Sequence, residues 1–483
     1  MVSHADIFLL PTHAETFCLA AAEALAAGRP VVVGDSGGPS AFVAPPRGAL
    51  VPPRAGAAVW ADAVEQVWSQ AAGLTAEQIA QDVRVRYSPT RYVDRLAAIY
   101  APLGQAEPGS DSSSTTGGHP VVDLVIAVHS TQRRVERAVR SVLDGSPGVD
   151  VRVTLVAHNI GAEQVRAVLS EQSRADERVR VLELADGIPS PSGPFNAGLD
   201  AATAPWAAIM GSDDMLAPGA LAGWLEAVAG MNPADPVVVI PPLRLAGRTV
   251  PTPQRRPGRT GRHRRLDLVA DRLSYRSAPL GLLSRGALAL PGARLMPQVR
   301  VGGDVPMVTA LWAQAHVVYA AGAPAYLIQE DAPDRVTYEQ RPITEQLASI
   351  DALWGTPWVI ALTPRQRRSV GTKVLRIHIF GAILTRPDPQ WWTPEERVEL
   401  ARVTRRVLAE APGCADPLSL ADGDVLRAVL DVGTPAAQLI ARAHARRWHG
   451  SPRTLLPSSW RHVLHPEAPV RFMGASLIAA RAR

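Results

Sequence analysis

The stretch Trp206-Ala-Ala-Ile-Met-Gly-Ser-Asp-Asp-Met-Leu216 is the most informative part of the sequence. Its apolar run has the length of a buried β-strand and ends in a small-residue turn with two adjacent carboxylates. Ligands of open α/β sheets bind at the carboxyl ends of the strands. Asp213 and Asp214 would therefore suit a hard divalent cation that takes oxygen ligands. An acidic turn or a helix N-cap fits the same dipeptide, and the dipeptide alone favours that simpler interpretation.

Length and composition predict a multidomain globular protein. A chain of 483 residues suggests about three domains. The contents of 47% hydrophobic and 20% charged residues are ordinary for soluble proteins. The sequence has neither a signal-peptide pattern nor an apolar run of bilayer length, and Cys18 and Cys414 form neither a disulfide framework nor a metal set. We therefore expect a cytoplasmic protein.

Arginine supplies nearly all of the positive charge. The formal net charge is +5, and Lys373 is the only lysine. A uniform preference for arginine favours a GC-rich genome over nucleic-acid binding, so we expect no nucleic-acid partner. One denser group is either a solvated loop or a surface for polyanions such as phosphates or acidic lipids; it comprises Arg255, Arg256, Arg259, Arg262, Arg264 and Arg265.

Residues 1–103 show a β-α-β pattern followed by helices. Glu15 and Glu23 are separated by seven residues, and Ala26-Ala-Gly-Arg-Pro-Val-Val32 follows. This pattern resembles the C-terminal part of family 4 glycosyltransferases of the GT-B fold, in which the two glutamates contact the donor nucleotide sugar. Cys18 stands where that family usually has glycine, and we expect the acceptor domain of that family to be missing. We therefore expect a truncated segment with a remnant donor site and no activity of its own.

A change of composition separates this segment from the next. Residues 104–120 include Ser112-Ser-Ser-Thr-Thr-Gly-Gly118 and predict a flexible linker. From Val121 onward, strand and helix patterns alternate, which predicts a mostly parallel sheet in an α/β domain over residues 121–340. Further strands are expected at 151–157 and 178–184, and helices at 133–143, 162–172 and 196–202.

Four motifs occur in order within this domain: Val125-Ile-Ala-Val-His-Ser130, Asn196-Ala-Gly-Leu199, Gly211-Ser-Asp-Asp214 and Val301-Gly-Gly-Asp304. Their order and spacing resemble glycosyltransferase family 2, whose members are inverting enzymes of the GT-A fold with a Rossmann-like nucleotide-binding half. The resemblance implies a metal-dependent transferase. It would move a sugar from a nucleotide sugar, with a UDP-sugar favoured as the donor, to a hydroxyl of a glycan or of a teichoic-acid-like cell-surface polymer.

The resemblance also implies roles for single residues. Asp213 would contact the ribose or the metal-bound diphosphate, and Asp214 would hold Mn²⁺ or Mg²⁺. Asp304 would be the catalytic base that takes the proton from the acceptor hydroxyl. The remaining donor-binding candidates are His129, His158, Asn159 and Asn196.

Three positions depart from the family pattern. Gly211 stands where members often have an additional aspartate. Ala157-His-Asn159 replaces the aspartates that bind a uridine base, and Phe195 replaces a basic residue. With Gly211 in place, the metal would be held through Asp214 and the donor diphosphate, so metal and donor should bind together.

Residues 341–483 show mainly helical patterns. Thr393-Pro-Glu-Glu is a helix start signature, and further helices are predicted at 419–431 and 434–447. The tryptophans of this region favour core packing over a surface for glycan or membrane contact; they include Trp391, Trp392, Trp448 and Trp460. If the acceptor is a surface polymer, the enzyme would act as a peripheral protein at the inner face of the membrane.

Two functions from other classes stay open. A degenerate transferase could be a non-catalytic scaffold that binds a glycan or a partner enzyme, and Gly211 and Ala157 support this hypothesis. A nucleotidyltransferase uses a similar sheet and acidic metal site, but the chain lacks the Gly-rich basic signature that cradles a triphosphate. The presence of Asp213, Asp214 and Asp304 together favours the enzyme.

Overall fold

The chain divides into two compact units, Met1–Thr115 and Thr116–Arg483. The structure is a computed structural model that describes residues 5–12, 18–52, 54–87, 120–253, 265–329, 340–447 and 451–481. Glu15, Trp448, the predicted linker up to residue 119 and the arginine group before Arg265 lie outside the described residues. Each unit is described by itself.

The first unit contains a three-stranded parallel sheet in the order β1-β2-β3. Its central strand is fully buried, as expected for a parallel strand covered on both faces. Gly28 ends the first helix at φ +76°, and a Cβ there would lie 2.6 Å from Ala76 Cβ. The strands are β1 (Phe8–Leu10), β2 (Val31–Gly34) and β3 (Gly48–Val51); the helices are α1 (Leu19–Ala26), α2 (Ala57–Ala71) and α3 (Ala76–Arg86), with a 3-10 turn at Gly38–Ala41.

The second unit is built on a seven-stranded mixed sheet and a smaller four-stranded one, which confirms the predicted α/β fold. The strands are β4 (Val122–Val128), β5 (Val151–His158), β6 (Val179–Leu184), β7 (Trp206–Gly211), β8 (Met215–Leu216), β9 (Val237–Ile240), β10 (Leu243–Leu245), β11 (Arg248–Thr249), β12 (Leu282–Ser284), β13 (His316–Tyr319) and β14 (Tyr326–Ile328). The large sheet has the order β13-β9-β12-β7-β4-β5-β6, and the small sheet β11-β10-β14-β8.

Strands β7, β4, β5 and β6 are parallel neighbours, so their carboxyl ends share one edge of the sheet. The quoted apolar run is buried from Trp206 to Met210. Strand β12 is antiparallel to both β7 and β9, which the sequence pattern did not predict. Strand β12 has three residues of mainly apolar character. Such a short apolar run does not indicate whether the strand is parallel or antiparallel to its neighbours.

A buried aspartate joins β4 to β7 at the opposite edge. The carboxylate of Asp123 accepts the backbone N–H groups of Thr203 and Ala204 at 2.6 and 2.8 Å. It also accepts two hydrogen bonds from Arg152 on β5. These contacts hold three strands in register and so fix where their carboxyl ends meet.

The helices of the first half of this unit cover the sheet. The predicted helix at 162–172 is two short helices, because Ser170 starts a new one by accepting the backbone N–H of Ser173 at 3.1 Å. The helices are α4 (Val135–Leu143), α5 (Ala162–Ala167), α6 (Glu171–Ala175), α7 (Ser192–Asp200), α8 (Ala220–Glu226), α9 (Arg285–Leu288) and α10 (Asp304–Gln314), with a 3-10 turn at Leu273–Tyr275.

Helices also form most of the chain after residue 340. Thr393 caps its helix by accepting the backbone N–H of Glu396. The helices are α11 (Ile343–Gln346), α12 (Ala348–Leu353), α13 (Pro364–Lys373), α14 (Phe380–Leu384), α15 (Pro394–Glu410), α16 (Leu420–Leu430), α17 (Ala436–Ala445), α18 (Pro452–Leu455) and α19 (Pro469–Arg481). A π-helical segment, Val374–Ile379, joins α13 to α14, and 3-10 turns lie at Pro357–Ala361, Pro389–Trp391 and Trp460–His462.

One hydrophobic core joins the sheet to these C-terminal helices. It includes Val125 and Ile209 from the sheet, and Val374 and Leu400 from the helices. Trp392 is buried, as the packing interpretation predicts, whereas Trp460 is 81% exposed. None of the helices in the described part of the chain combines the length and the apolar content that a bilayer span needs.

Candidate active site

The carboxyl ends of four parallel strands place most of the predicted site residues along one edge. Asp213 and Asp214 follow β7, and the exposed His129 follows β4. His158 ends β5, and Asn159 follows it with a left-handed backbone, φ 55°. This edge is where ligands of open α/β sheets bind.

Asp214 is held by two donors from the segment that follows β13. The Tyr326 hydroxyl donates to Oδ2 at 2.6 Å, and the backbone N–H of Gln329 donates to Oδ1 at 3.0 Å. The same hydroxyl accepts the N–H of Gly211 at 3.1 Å. Burial, followed by the charge of Asp214, raises the pKa of Tyr326 well above its usual value, so the phenol remains a donor. Strands β14 and β8 pair antiparallel and bring Tyr326 opposite Leu216.

Asp213 pairs with arginine. Arg133 Nη1 lies 2.9 Å from Asp213 Oδ2, and the two side chains are only 8% and 15% exposed. Arg137, from the first turn of α4, donates to the backbone carbonyl of Asp213 at 2.6 Å. Two guanidinium groups therefore bring positive charge to the end of β7, where a diphosphate would need it.

The structure explains why glycine stands at position 211. A Cβ there would lie 2.8 Å from Asp214 Oδ2 and 3.1 Å from Asp213 Oδ1. Both carboxylates therefore fold over the place where family members often have a further aspartate. A side chain at 211 would displace them from Tyr326 and Arg133.

The two aspartates could hold a divalent ion only if a bound ligand supplied further oxygen atoms. Asp213 and Asp214 supply hard carboxylate oxygens, as Mn²⁺ and Mg²⁺ require. Within the part of the chain that the structure describes, no group of three or more His, Cys, Asp or Glu side chains is arranged to hold a metal. The two aspartates thus fit an ion whose remaining ligands come from a diphosphate and water.

A second polar cluster lies at the ends of β5 and β6. His158 Nε2 is 2.9 Å from Asp186 Oδ1 and 3.1 Å from Asn159 Nδ2. Asn159 Oδ1 accepts the N–H of Gly187 at 2.9 Å. The backbone N–H of Ile188, followed in effect by the His158 contact, lowers the pKa of Asp186 despite some desolvation. Asp186 was not predicted, although an aspartate two residues after a strand is the same signal as Asp213.

Asn196 contacts protein on both sides of its amide. Nδ2 donates to the carbonyl of Leu295 at 2.8 Å, and Oδ1 accepts the N–H of Leu295 at 2.9 Å. Ser190 Oγ donates to the carbonyl of Val299 at 2.6 Å. Because α7 packs on β4, β5, β6 and β7, these bonds tie the loop that leads to Asp304 to the nucleotide-binding half.

Asp304 is the first residue of α10, after two closely packed glycines. Gly302 has φ +72°, and a Cβ at Gly303 would lie 2.3 Å from Ser192 Oγ. Burial raises the pKa of the Asp304 carboxyl to about 6, although Lys373 and the backbone N–H groups of Asp304 and Val305 act in the opposite direction. A carboxylate of this kind can accept a proton near neutral pH.

Lys373 and His378 form a polar pair that was not assigned a role from the sequence. Lys373 is 2% exposed, and its Nζ is 2.7 Å from His378 Nε2. Burial lowers the pKa of Lys373 to about 8, and Asp304 opposes that effect. The signal was present, since Lys373 is the only lysine in the chain.

The predicted remnant site of the first unit has one described member. Glu23 is exposed on α1. Its predicted partner Glu15 lies outside the described residues. The role of both glutamates remains a prediction.

Comparisons with known families and sequences identify two glycosyltransferase segments. Residues 123–289 match the model described as Glycosyl transferase family 2, and residues 1–70 match the model described as Glycosyl transferases group 1. No curated protein sequence is similar enough to this chain to match it. Both segments agree with the resemblances that the motifs carried.

Solved structures share the fold of most of the chain. The crystal structure of S. aureus TarS 1–349 in complex with UDP-GlcNAc has a TM-score of 0.54 at 13% identity and covers 67% of this chain and 91% of that one. The same fragment with UDP has a TM-score of 0.51 at 13% identity, with the same coverage. S. aureus TarS gives 0.51 at 12% identity, over 66% of this chain and 54% of that one. Residues 123–289 form a glycosyltransferase family 2 domain of the GT-A type, and the protein is a glycosyltransferase.

Proposed function

We propose that the protein transfers a sugar, with inversion, from a nucleotide sugar to a hydroxyl of a glycan or a teichoic-acid-like polymer. The observation that carries this proposal is the carboxylate pair Asp213–Asp214 at the end of β7, held by Arg133 and Tyr326. The TarS fragment, which shares the fold, was crystallised with UDP-GlcNAc. A UDP-sugar is therefore the first donor to test.

Asp214, with Asp213, would hold Mn²⁺ or Mg²⁺ together with the donor diphosphate. The ion would act as a Lewis acid that neutralises the leaving diphosphate. Arg133 and Arg137 add positive charge beside the same carboxylates. The cluster of His158, Asn159 and Asp186, together with His129, supplies hydrogen-bonding groups for the base and ribose at the neighbouring strand ends.

Asp304 would act as the base. As the acceptor oxygen bonds to the anomeric carbon, its proton passes to the Asp304 carboxylate and the bond to the diphosphate oxygen breaks on the opposite face of the sugar. One in-line displacement inverts the anomeric centre. The raised pKa of Asp304, about 6, leaves the carboxylate ionised at neutral pH yet basic enough to accept the proton.

Asn196 fits this scheme as a support. Its amide groups are engaged by Leu295, so we propose that it fixes the loop that leads to Asp304 and does not contact the donor directly. We further propose that the enzyme acts in the cytoplasm at the inner face of the membrane, where nucleotide-sugar donors are available to supply sugars to a growing surface polymer.

The test is release of nucleoside diphosphate by the full chain. UDP-, GDP- and dTDP-sugars would be incubated with Mn²⁺, with Mg²⁺ or with EDTA, without an acceptor. We expect slow hydrolysis of one donor that EDTA abolishes, and faster release when the right polymer is added. A protein that neither binds nor hydrolyses any donor with either metal would instead be a non-catalytic scaffold.

The matched control separates the two aspartates from general effects. Asp214→Asn and Asp213→Asn should each weaken metal-dependent donor binding in calorimetry. Asp235→Asn, a change in a turn before β9, should leave it unaltered. If donor affinity were equal with and without metal in the unmodified protein, the metal site would be refuted.

A further inference from the structure

The outer side of helix α19 carries apolar side chains. Val470, Leu477 and Ile478 are exposed, and spacings of seven and eight residues place them on one face of the helix. Phe472 points to the other side, where its ring packs edge-on against Tyr275 with 4.6 Å between the ring centroids. A surface helix normally turns polar side chains toward solvent, so this face of α19 has the reverse arrangement.

Buried contacts hold the start of α19 against the rest of the unit. The carboxylate of Glu467, which is fully buried, accepts from the Tyr275 hydroxyl at 3.0 Å and from Ser369 Oγ at 2.9 Å. Arg272 Nε donates to the carbonyl of Pro466 at 2.8 Å. These contacts fix which side of the segment faces the core, and therefore the apolar face of α19 is held outward.

Two side chains of the preceding segment extend this face. Trp460 begins a 3-10 turn that leads to Leu464, and the two side chains are 81% and 78% exposed. Arg471 donates to the carbonyl of Leu464, and it lies seven residues before Ile478, on the same side of α19. Leu464 is thus beside the apolar face. We call these five residues the α19 surface: Trp460, Leu464, Val470, Leu477 and Ile478.

Two exposed arginines border the α19 surface. The Arg461 guanidinium carbon lies 6.0 Å from the centroid of the Trp460 ring. Arg471 uses one N–H for Leu464, and a guanidinium group has five such donors. Positive charge therefore accompanies the apolar side chains.

The segment that carries the α19 surface presents no carboxylate to solvent. Within residues 451–479, all of which the structure describes, Glu467 is the single acidic residue, and it is buried. Arg453 of this segment reaches Asp424 on α16, and that carboxylate also pairs with Arg427. The partner of the α19 surface is therefore expected to be apolar and negatively charged.

An anionic lipid bilayer has this combination of properties. Tryptophan prefers the boundary between lipid and water, and exposed aliphatic side chains of a helix enter the acyl region when the helix lies in the plane of the interface. Arginines beside them are attracted to anionic headgroups. A glycan would offer hydroxyl groups that aliphatic side chains cannot bind, and a two-fold contact with a second copy would bring like-charged arginines together.

We propose that the α19 surface docks the enzyme on a membrane that contains anionic lipids. The apolar side chains would enter the boundary between headgroups and acyl chains, and Arg461 and Arg471 would bind the lipid phosphates. The inference deepens the proposed function and rests on it for the location at a membrane. Helix α19 would then lie along the bilayer and not across it.

The experiment is co-sedimentation of the full chain with vesicles of phosphatidylcholine, with and without added phosphatidylglycerol. We expect binding to the vesicles with phosphatidylglycerol and a decrease as salt is added. Ile478→Glu should lower the binding constant by at least about tenfold, because it places a charge where an isoleucine would be buried. Arg461→Glu should lower it by at least about fivefold, and Arg461→Lys should restore it.

Val398→Glu is the matched control for Ile478→Glu. Val398 is 54% exposed and Ile478 is 58% exposed, and both lie on helices. Val398→Glu should bind vesicles as the unmodified protein does. If Ile478→Glu bound equally well, or if vesicles of phosphatidylcholine alone bound as tightly, the inference would be overturned. A change of mass in solution for Ile478→Glu, without a change in vesicle binding, would assign the α19 surface to a second copy.

Donor hydrolysis without vesicles distinguishes failure of this inference from failure of the proposed function. Ile478→Glu should release nucleoside diphosphate at the rate of the unmodified protein, because α19 carries none of the proposed site residues. A chain that hydrolyses the donor but ignores anionic vesicles would refute the docking surface alone. A chain that binds the vesicles but neither binds nor hydrolyses any donor would refute the transferase and leave the α19 surface in place.

Discussion

Two groups of aspartates at the candidate site lie in contrasting surroundings. The carboxylates of Asp213 and Asp214 accept from Arg133, from the Tyr326 hydroxyl and from the N–H of Gln329. Asp304 begins α10, and among the described residues its carboxylate has no side-chain hydrogen bond or ion pair; burial raises the pKa of this carboxyl to about 6. The pair Asp213–Asp214 is thus surrounded by hydrogen-bond donors, whereas the Asp304 carboxylate is desolvated by burial.

This difference assigns different chemistry to the same side chain. A carboxylate whose oxygens are oriented by several donors is suited to hold a cation. A desolvated carboxylate has a raised pKa and is suited to accept a proton. The comparison therefore predicts that changes at the two ends affect different steps: donor binding at Asp213–Asp214, and turnover at Asp304.

The largest expected effect comes from Asp304→Asn. The amide keeps the size of the side chain but cannot take the proton, so kcat should fall by about 10³-fold, within the range that a general base contributes. Donor affinity in the presence of Mn²⁺ should stay within about twofold, because Asp304 does not hold the donor. Single-turnover kinetics and calorimetry check the two parts; a parallel loss of donor affinity would contradict the division of roles.

Gly211→Asp should give the next largest effect. This change restores the aspartate that family members often have, yet its Cβ would lie 2.8 Å from Asp214 Oδ2. We expect donor affinity to fall by about 10–100-fold, since Asp214 would be forced from Tyr326 and like charges would crowd. Calorimetry with donor and Mn²⁺ measures it.

Gly474→Ala is the matched control for Gly211→Asp. Among the described residues, no atom outside the adjoining backbone of its own helix lies within 4 Å of a Cβ at Gly474, and the residue is within α19. This variant should bind donor normally. Tighter donor binding by Gly211→Asp would show that the two carboxylates can move to admit a third.

The pH profile of the unmodified protein provides a smaller test. Because the pKa of Asp304 is raised to about 6, the ionised base is present above that pH and is lost as the pH falls through it. We therefore expect kcat to decline about tenfold for each pH unit below this pKa. A decline that begins only near pH 4 would mean that the Asp304 carboxyl is exposed to solvent in the working enzyme.

The sequence predicted the parts of the site that are local in the chain. Asp213, Asp214 and Asp304 could be proposed as site residues because each follows an apolar or glycine motif within a few residues. Tyr326 could not, since it reaches Asp214 from a distant segment through the pairing of β8 with β14. The antiparallel β12 was missed for a similar reason: its direction is set by its neighbours.

The smallest effect is expected at Asn196. It tests whether the hydrogen bonds between Asn196 and Leu295 hold the loop that leads to Asp304 in place. Asn196→Ala removes both hydrogen bonds to Leu295, which should lower the free energy of unfolding by about 1–3 kcal/mol and kcat by several-fold through a displaced Asp304. Donor affinity should change little, because α7 stays packed on the sheet.

Asn232→Ala is the control for this loss, since Asn232 Oδ1 accepts a local N–H, that of Ala234, in an exposed turn. Its effect on unfolding should be no more than about 0.5 kcal/mol. If Asn196→Ala weakened donor binding and left kcat at saturating donor unchanged, Asn196 would contact the donor as the family resemblance implies. A lower kcat with unchanged donor binding would mean that the Asn196 amide fixes the position of Asp304 relative to the nucleotide-binding half.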